Sequence, residues 1–215
     1  DGQATSVGYD WTPDGRTIVV EGMLDTTTDR NYRNANLYAV DVASGATRLL
    51  TPRPGVWAAP AVSPDGRTVA YRGYPATRAS YQAAAVWTLP LDGADDPQAR
   101  ARRIGGTLDD DPGPLHWSRD GRGVWFAVGQ RGTSNVWWAA ADGSGARPVT
   151  AGTHVLSLVS VAARAGAPVG VGVRSSFREP PDVVRVALGD GRAGRAVPPR
   201  DAAAQLTRLT RANDD

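Results

Sequence analysis

One short phrase occurs three times in this chain, and it constrains the fold more than anything else. Trp11-Thr12-Pro13-Asp14-Gly15-Arg16 returns as Val62-Ser63-Pro64-Asp65-Gly66-Arg67 and again as Trp117-Ser118-Arg119-Asp120-Gly121-Arg122. The Asp-Gly pairs are 51 and then 55 residues apart. Self-similarity at such a period marks small units that bury their faces on one another.

The phrase is a turn. Ser63 suits its first position, Pro64 presets φ at the second, Asp65 bonds nearby backbone, and Gly66 tolerates the left-handed position. Such a turn predicts a tight hairpin with a glycine bulge. Alternation follows it: Ile18 and Val20, Val69 and Tyr71, and Val124 and Phe126 keep one register after the three Asp residues. Period-two alternation after a turn is a strand signal. Leu37-Tyr38, Val86-Trp87 and Val136-Trp137 then open a third strand. Second turns follow at Ala43-Ser44-Gly45, Asp92-Gly93 and Asp142-Gly143-Ser144-Gly145. Fourth strands run into Arg48-Leu49-Leu50-Thr51, Arg103-Ile104 and Pro148-Val149-Thr150. Four antiparallel strands per repeat is the layout of a β-propeller blade.

The tail reads as a fourth copy without its Ser-Pro-Asp-Gly turn. Strands are expected at Val155 to Val161, Pro168 to Val173 and Asp182 to Leu188, with a turn at Gly189-Asp190-Gly191 and an ending at Gln205-Leu206-Thr207. Two stacked hairpins outside the propeller are the alternative. The expected fold is all-β: a partial propeller of about four four-stranded blades, roughly 1–51, 52–105, 106–150 and 151–210. End blades of such an arc would expose apolar faces, so association of the isolated chain is expected.

Composition narrows the function. The 24 basic residues are all Arg and stand against 22 acids, a net charge of +2, which makes no electrostatic case for nucleic acid. Only Glu21 and Glu179 are Glu. There is no cysteine, so disulfides and thiolate sites are excluded, which permits the cytoplasm, the expected location. No stretch is long and apolar enough to span a membrane as a helix.

The blade pattern resembles the propeller of serine peptidases of the prolyl oligopeptidase family, its acylaminoacyl-peptidase and dipeptidyl-peptidase-like branch most closely. TolB-type propellers share the Ser-Pro-Asp-Gly repeat. The last third is more specific. Arg131-Gly132-Thr133-Ser134-Asn135-Val136-Trp137 resembles the family's glycine turn before a strand, and Glu179-Pro180-Pro181-Asp182-Val183-Val184 its Pro-x-Asp-Leu-Tyr segment. Gln205-Leu206-Thr207-Arg208-Leu209-Thr210-Arg211-Ala212-Asn213 resembles the stretch that closes the propeller before an α/β-hydrolase domain. The resemblance implies a non-catalytic module that gates peptide access to a hydrolase domain in cis, expected downstream. Such a domain carries a Ser-His-Asp triad with its serine in a Gly-x-Ser-x-Gly elbow. No such elbow occurs in these 215 residues, so no catalytic residue is assigned and the chain alone is expected to be inactive. The alternative is a stand-alone TolB-like scaffold that binds protein or peptide. A metal-dependent propeller enzyme would need ligands converging on a central channel.

Individual residues carry blander expectations. His116 and His154 are expected to be structural, since His116 has only the turn residue Ser118 as a candidate nucleophile nearby. Asp109-Asp110-Asp111 lacks calcium-loop spacing and reads as a solvated acidic loop. Arg100, Arg102 and Arg103 are expected to pair locally beside Asp95-Asp96. Trp11, Trp87, Trp117 and Trp137 recur at packing positions, which leaves Trp57 and Trp138 as the freer ones, although they too are expected to pack. No metal, cofactor or substrate-binding residue is assigned.

Overall fold

Each copy of the repeated turn closes on its own hydroxyl. The Thr12, Ser63 and Ser118 hydroxyls donate to Oδ1 of Asp14, Asp65 and Asp120 at 2.7, 2.6 and 2.7 Å. The same hydroxyls accept from the amides of Thr17, Thr68 and Gly123 at 3.0, 3.0 and 3.2 Å. Gly15, Gly66 and Gly121 sit at φ of 70°, 71° and 67°, the left-handed region where a Cβ is strained. The carboxyls of Asp14 and Asp65 are held below the usual range, chiefly by the Thr12 and Ser63 hydroxyls. At Asp120 partial burial pulls upward, but the Ser118 hydroxyl, the Arg122 amide and the Arg122 charge leave it lowered as well.

The computed structural model describes residues 8–23, 34–52, 54–78, 81–92, 96–162, 167–189 and 205–211. The chain forms two compact units, Asp1–Arg103 and Ile104–Asp215. The first holds two antiparallel sheets. One contains β1 (Tyr9–Trp11), β2 (Thr17–Gly22), β3 (Asn36–Asp41) and β4 (Thr47–Leu49). The other contains β5 (Gly55–Val62), β6 (Thr68–Pro75), β7 (Ala85–Pro90) and β8 (Arg102–Ile104), with one helical turn, α1 (Pro97–Arg100), before β8.

The second unit repeats the four-strand plan, but a single parallel pair, Ser134 with Val155, joins its two blades into one eight-stranded sheet. One blade contains β9 (His116–Trp117), β10 (Gly123–Gln130), β11 (Thr133–Ala140) and β12 (Ala146–Pro148). The other contains β13 (Val155–Ala162), β14 (Val169–Ser175), β15 (Asp182–Ala187) and β16 (Leu206–Arg208). The tail is thus one four-stranded blade and not two separate hairpins. Of its expected turn, Gly189 is left-handed at φ 70°, while Asp190 and Gly191 lie outside the described residues.

Successive blades within a unit are joined the same way. A single parallel bridge links Ala35 to Val56 in the first unit and Ser134 to Val155 in the second. A polar staple sits beside each. The Thr51 hydroxyl accepts from the Leu37 amide at 3.1 Å and donates to Asn36 at 3.3 Å. Thr150 does the same with Val136 at 2.9 Å and Asn135 at 3.1 Å. In the tail blade Thr210 accepts from the Val183 amide at 2.9 Å and donates to Asp182 at 2.6 Å. The residue that ends the tail blade like Thr51 and Thr150 is therefore Thr210, one Leu-Thr later than the Leu206-Thr207 expected. Leu206 and Thr207 are needed inside β16, where they pair with Val186 and Arg185.

Each unit has its own apolar core. In the first, Val19, Leu37 and Ala39 of one sheet meet Trp57, Val69, Tyr71 and Leu89 of the next. In the second, Trp125, Ala127, Val136 and Trp138 meet Leu156, Leu158, Val184 and Val186. Trp57 and Trp138, which stand outside the repeated positions, pack as expected at 1% and 5% exposure, whereas Trp11 on the edge strand β1, expected to pack, is 46% exposed. Strand alternation explains the burial of Trp57 and Trp138: both fall on the inward face of their strands. The exposed large apolar side chains fall mostly on the first sheet (Tyr9, Trp11, Val42) and on the last blade (Val155, Val159, Val173, Phe177).

Candidate functional site

The two units fill the space between their sheets differently, and the difference leaves a cleft. Pairing registers align β5–β7 with β13–β15. Trp57 opposes Gly73, and Tyr71 opposes Trp87. At the matching positions Leu156 opposes Arg174, and Gly172 opposes Val184. In the first unit Trp57 packs edge-on against Tyr71 and Trp87 with ring centroids 5.6 and 5.4 Å apart. Its indole N–H donates to the Pro52 carbonyl at 2.7 Å, which seals the link between the sheets. The second unit has Leu, Gly and Val where these three aromatics stand. Trp125 and Trp138, with ring centroids 5.0 Å apart, reach over from the neighbouring sheet and fill the middle. The end beside the β12–β13 link stays open.

The opening is a cleft of about 650 Å³, a size that suits a small molecule. Ala151 to His154 from the link form one side. Arg174, Ser176, Phe177 and Arg178 from the β14–β15 turn form another, and Val184, Leu206 and Arg208 complete it. The turn is rigidly held: the Ser176 hydroxyl accepts from the Glu179 amide at 3.1 Å, and Arg174 pairs with Glu179 at 2.7 Å. Arg208 pairs with the carboxylate of Asp182 at 2.5 Å. Arg178 is exposed and forms no ion pair among the described residues, and Phe177 projects fully into solvent. The His154 ring is packed onto Gly152 and only 7% exposed, and its buried Nε2 has no hydrogen-bond partner. Burial, and then the nearby Arg174 charge, hold its pKa below the usual imidazole value.

The histidines thus do different things. His116 reaches from β9 to the Leu158 carbonyl at 3.4 Å, at the bulge in β13. Asp10 does the corresponding job in the first unit, accepting from the Val62 amide on the bulged β5 at 2.7 Å. The Ser118 hydroxyl is committed to Asp120, so His116 and Ser118 form no nucleophile–base pair. His154 is the one that faces a cleft, and nothing in its sequence surroundings signals that.

Elsewhere, Arg100 pairs with Asp92 at 3.0 Å and bonds the Pro90 carbonyl. This is the local pairing expected of the basic run beside Asp95-Asp96; Asp95 lies outside the described residues. The Asp110 carboxylate accepts from the Asp111 amide at 2.8 Å and packs against Gly129. Among the described residues no group of three or more metal-ligating side chains converges.

No protein-family model matches the chain. Dipeptidyl-peptidase 5 of Porphyromonas gingivalis is 26% identical over 204 residues, which are 94% of this chain and 28% of that protein. The chain therefore spans less than a third of the relative it matches. Among solved structures, the β-propeller domain of the trilobed protease from Pyrococcus furiosus matches with a TM-score of 0.66 at 13% identity, over 100% of this chain and 57% of that one. An acylaminoacyl peptidase in complex with Z-Gly-Gly-Phe-chloromethyl ketone matches at 0.64 and 14% identity, over 97% and 27%. TolB from Acinetobacter baumannii matches at 0.63 and 15% identity, over 95% and 43%. The chain is thus similar to part of a dipeptidyl-peptidase and shares the β-propeller fold of these structures.

Proposed function

We propose that this chain is the propeller module of a serine peptidase and screens the peptides that reach a hydrolase active site carried elsewhere in the same protein. The observation that carries the reading is the alignment to dipeptidyl-peptidase 5, which runs through 94% of the chain. These residues contain no Gly-x-Ser-x-Gly elbow, so this reading requires the nucleophile to lie in another domain. On this reading the propeller supplies access control and not chemistry, and its substrates are short peptides. A cytoplasmic location is part of the proposal and is checked by cell fractionation.

The test is kinetic, on the native protein that contains this chain. A small chromogenic ester and a series of peptides of rising length are compared. Loosening the propeller should leave turnover of the ester unchanged and raise kcat/KM for long peptides. Equal effects on both substrates, or no peptide hydrolysis by the native protein, would overturn the proposal. The TolB likeness supports a second reading, a scaffold that binds protein or peptide without cleaving it. Retention of a peptide unchanged by the native protein would favour it.

A further inference from the structure

The cleft in the second unit carries a chemical signature of its own. Three guanidiniums, Arg174, Arg178 and Arg208, line it, and no carboxylate does. Glu179 and Asp182 neutralise two of them, which leaves one net positive charge on Arg178. His154 adds a nitrogen that is buried and unpartnered. A buried polar atom without a partner is costly, and among the buried unpartnered atoms His154 Nε2 is the one whose residue lines the cleft. The remaining wall is mixed: Ala151, Val184, Leu206 and the rim residue Phe177 are apolar, and Thr153 and Ser176 carry hydroxyls. The corresponding end of the first unit shows that the room is not forced by the fold, because Trp57 and Trp87 fill it there.

We propose that this cleft binds a small monoanionic carboxylate carried on an apolar body. Arg178 and Arg174 take the carboxylate oxygens, and the body lies on Val184 and Leu206. A planar guanidinium matches a carboxylate in a bidentate manner. A single net charge suits a monoanion better than a dianion such as phosphate. The carboxylate is the C-terminus of a short peptide or a free aryl- or alkyl-carboxylic acid. This inference goes beyond the peptidase proposal and stands without it, because it requires only the second unit's own residues.

The experiment is a calorimetric titration of the full chain with N-acetyl-phenylalanine, N-acetyl-phenylalaninamide, the tripeptide Gly-Gly-Phe, 3-phenylpropionate and inorganic phosphate. The carboxylates should bind with 1:1 stoichiometry, and the amide about tenfold more weakly or worse, the loss expected for a charge-assisted hydrogen bond. Gly-Gly-Phe binding more tightly than 3-phenylpropionate assigns the site to a peptide C-terminus, and the reverse to a free acid. Arg178→Gln, an exposed change, should weaken binding about tenfold with an unchanged melting temperature. Val184→Trp, which places in β15 the residue found at the matching position of β7, should abolish binding. Equal affinity for acid and amide, tighter binding of inorganic phosphate, or full affinity in Arg178→Gln would each overturn the proposal. None of these outcomes depends on hydrolysis, so they leave the peptidase reading to its own test.

Discussion

The two units solve one packing problem in opposite ways. In the first, bulk stands on the second sheet: Trp57, Tyr71 and Trp87 press onto the small residues Val19 and Ala39. In the second, bulk stands on the first sheet: Trp125 and Trp138 press onto a face thinned by Gly170 and Gly172. The strand plan, the bridge and the Thr staple are shared, so the backbone does not dictate which sheet carries the aromatics. What differs is the end of the seam. Trp57 bonds Pro52 and seals it, whereas Leu156 cannot reach Ala151 in that way, and a cleft lined by arginines remains.

The comparison can be broken most severely at Trp57. Trp57→Ala removes two edge-on aromatic contacts and the bond to Pro52, and should cost about 3–5 kcal/mol. Urea denaturation followed by tryptophan fluorescence checks this; a loss below about 1 kcal/mol would mean that Trp57 does not hold the first seam.

The second unit should fail by overpacking. A Cβ on Gly172 would lie 2.1 Å from the Ser157 carbonyl oxygen, so Gly172→Ala should cost about 1–3 kcal/mol. Gly145→Ala is the control: nothing lies within 4 Å of its added Cβ, and its effect should stay within about 0.5 kcal/mol. Equal melting temperatures for the two variants would contradict the account of a thinned face.

The shared staple sharpens the likeness between units. Thr150→Val leaves the Val136 amide without its acceptor and should cost about 1–3 kcal/mol, as should Thr51→Val in the first unit. Thr150→Ser keeps the hydroxyl and should restore most of the loss. Chemical denaturation of all three variants gives the answer.

The smallest effect is that of pH. Burial depresses the imidazole of His116, partly opposed by the Leu158 carbonyl, and burial with the Arg174 charge depresses that of His154. Each therefore binds its proton more readily in the unfolded chain, whose value is near 6.5. Stability is full above that value and declines as pH falls below it. Melting temperature should drop modestly between pH 7.5 and 5.5, and His116→Gln should flatten the slope. A rise in stability over this window would reverse the sign argued.

The fold was legible because its signals are local. The Asp-Gly turns show themselves through residue types with fixed conformational reasons, and Val69, Tyr71, Val124 and Phe126 are all buried as their register implies. The tail was legible from alternation alone, although its end was read one Leu-Thr too early. Leu206-Thr207 and Leu209-Thr210 differ only in which threonine hydroxyl meets Val183 across the sheet. Among the tryptophans it is Trp11 that departs from the packing its repeat position implies, because β1 is an edge strand, whereas Trp57 and Trp138 pack as expected. The cleft was not legible at all. It arises from what Leu156, Gly172 and Val184 lack relative to their counterparts, and that comparison needs pairing registers. His154 gave no signal because its surroundings come from three separate segments.

We propose above that these residues form the access module of a serine peptidase. The most direct measurement is labelling of the native protein with a fluorophosphonate probe, followed by mass spectrometry of the modified peptide. The account predicts labelling at one serine, on a peptide outside these 215 residues but within the same polypeptide. A native polypeptide that contains this chain and takes up no probe would contradict it, as would labelling of a serine within the blades.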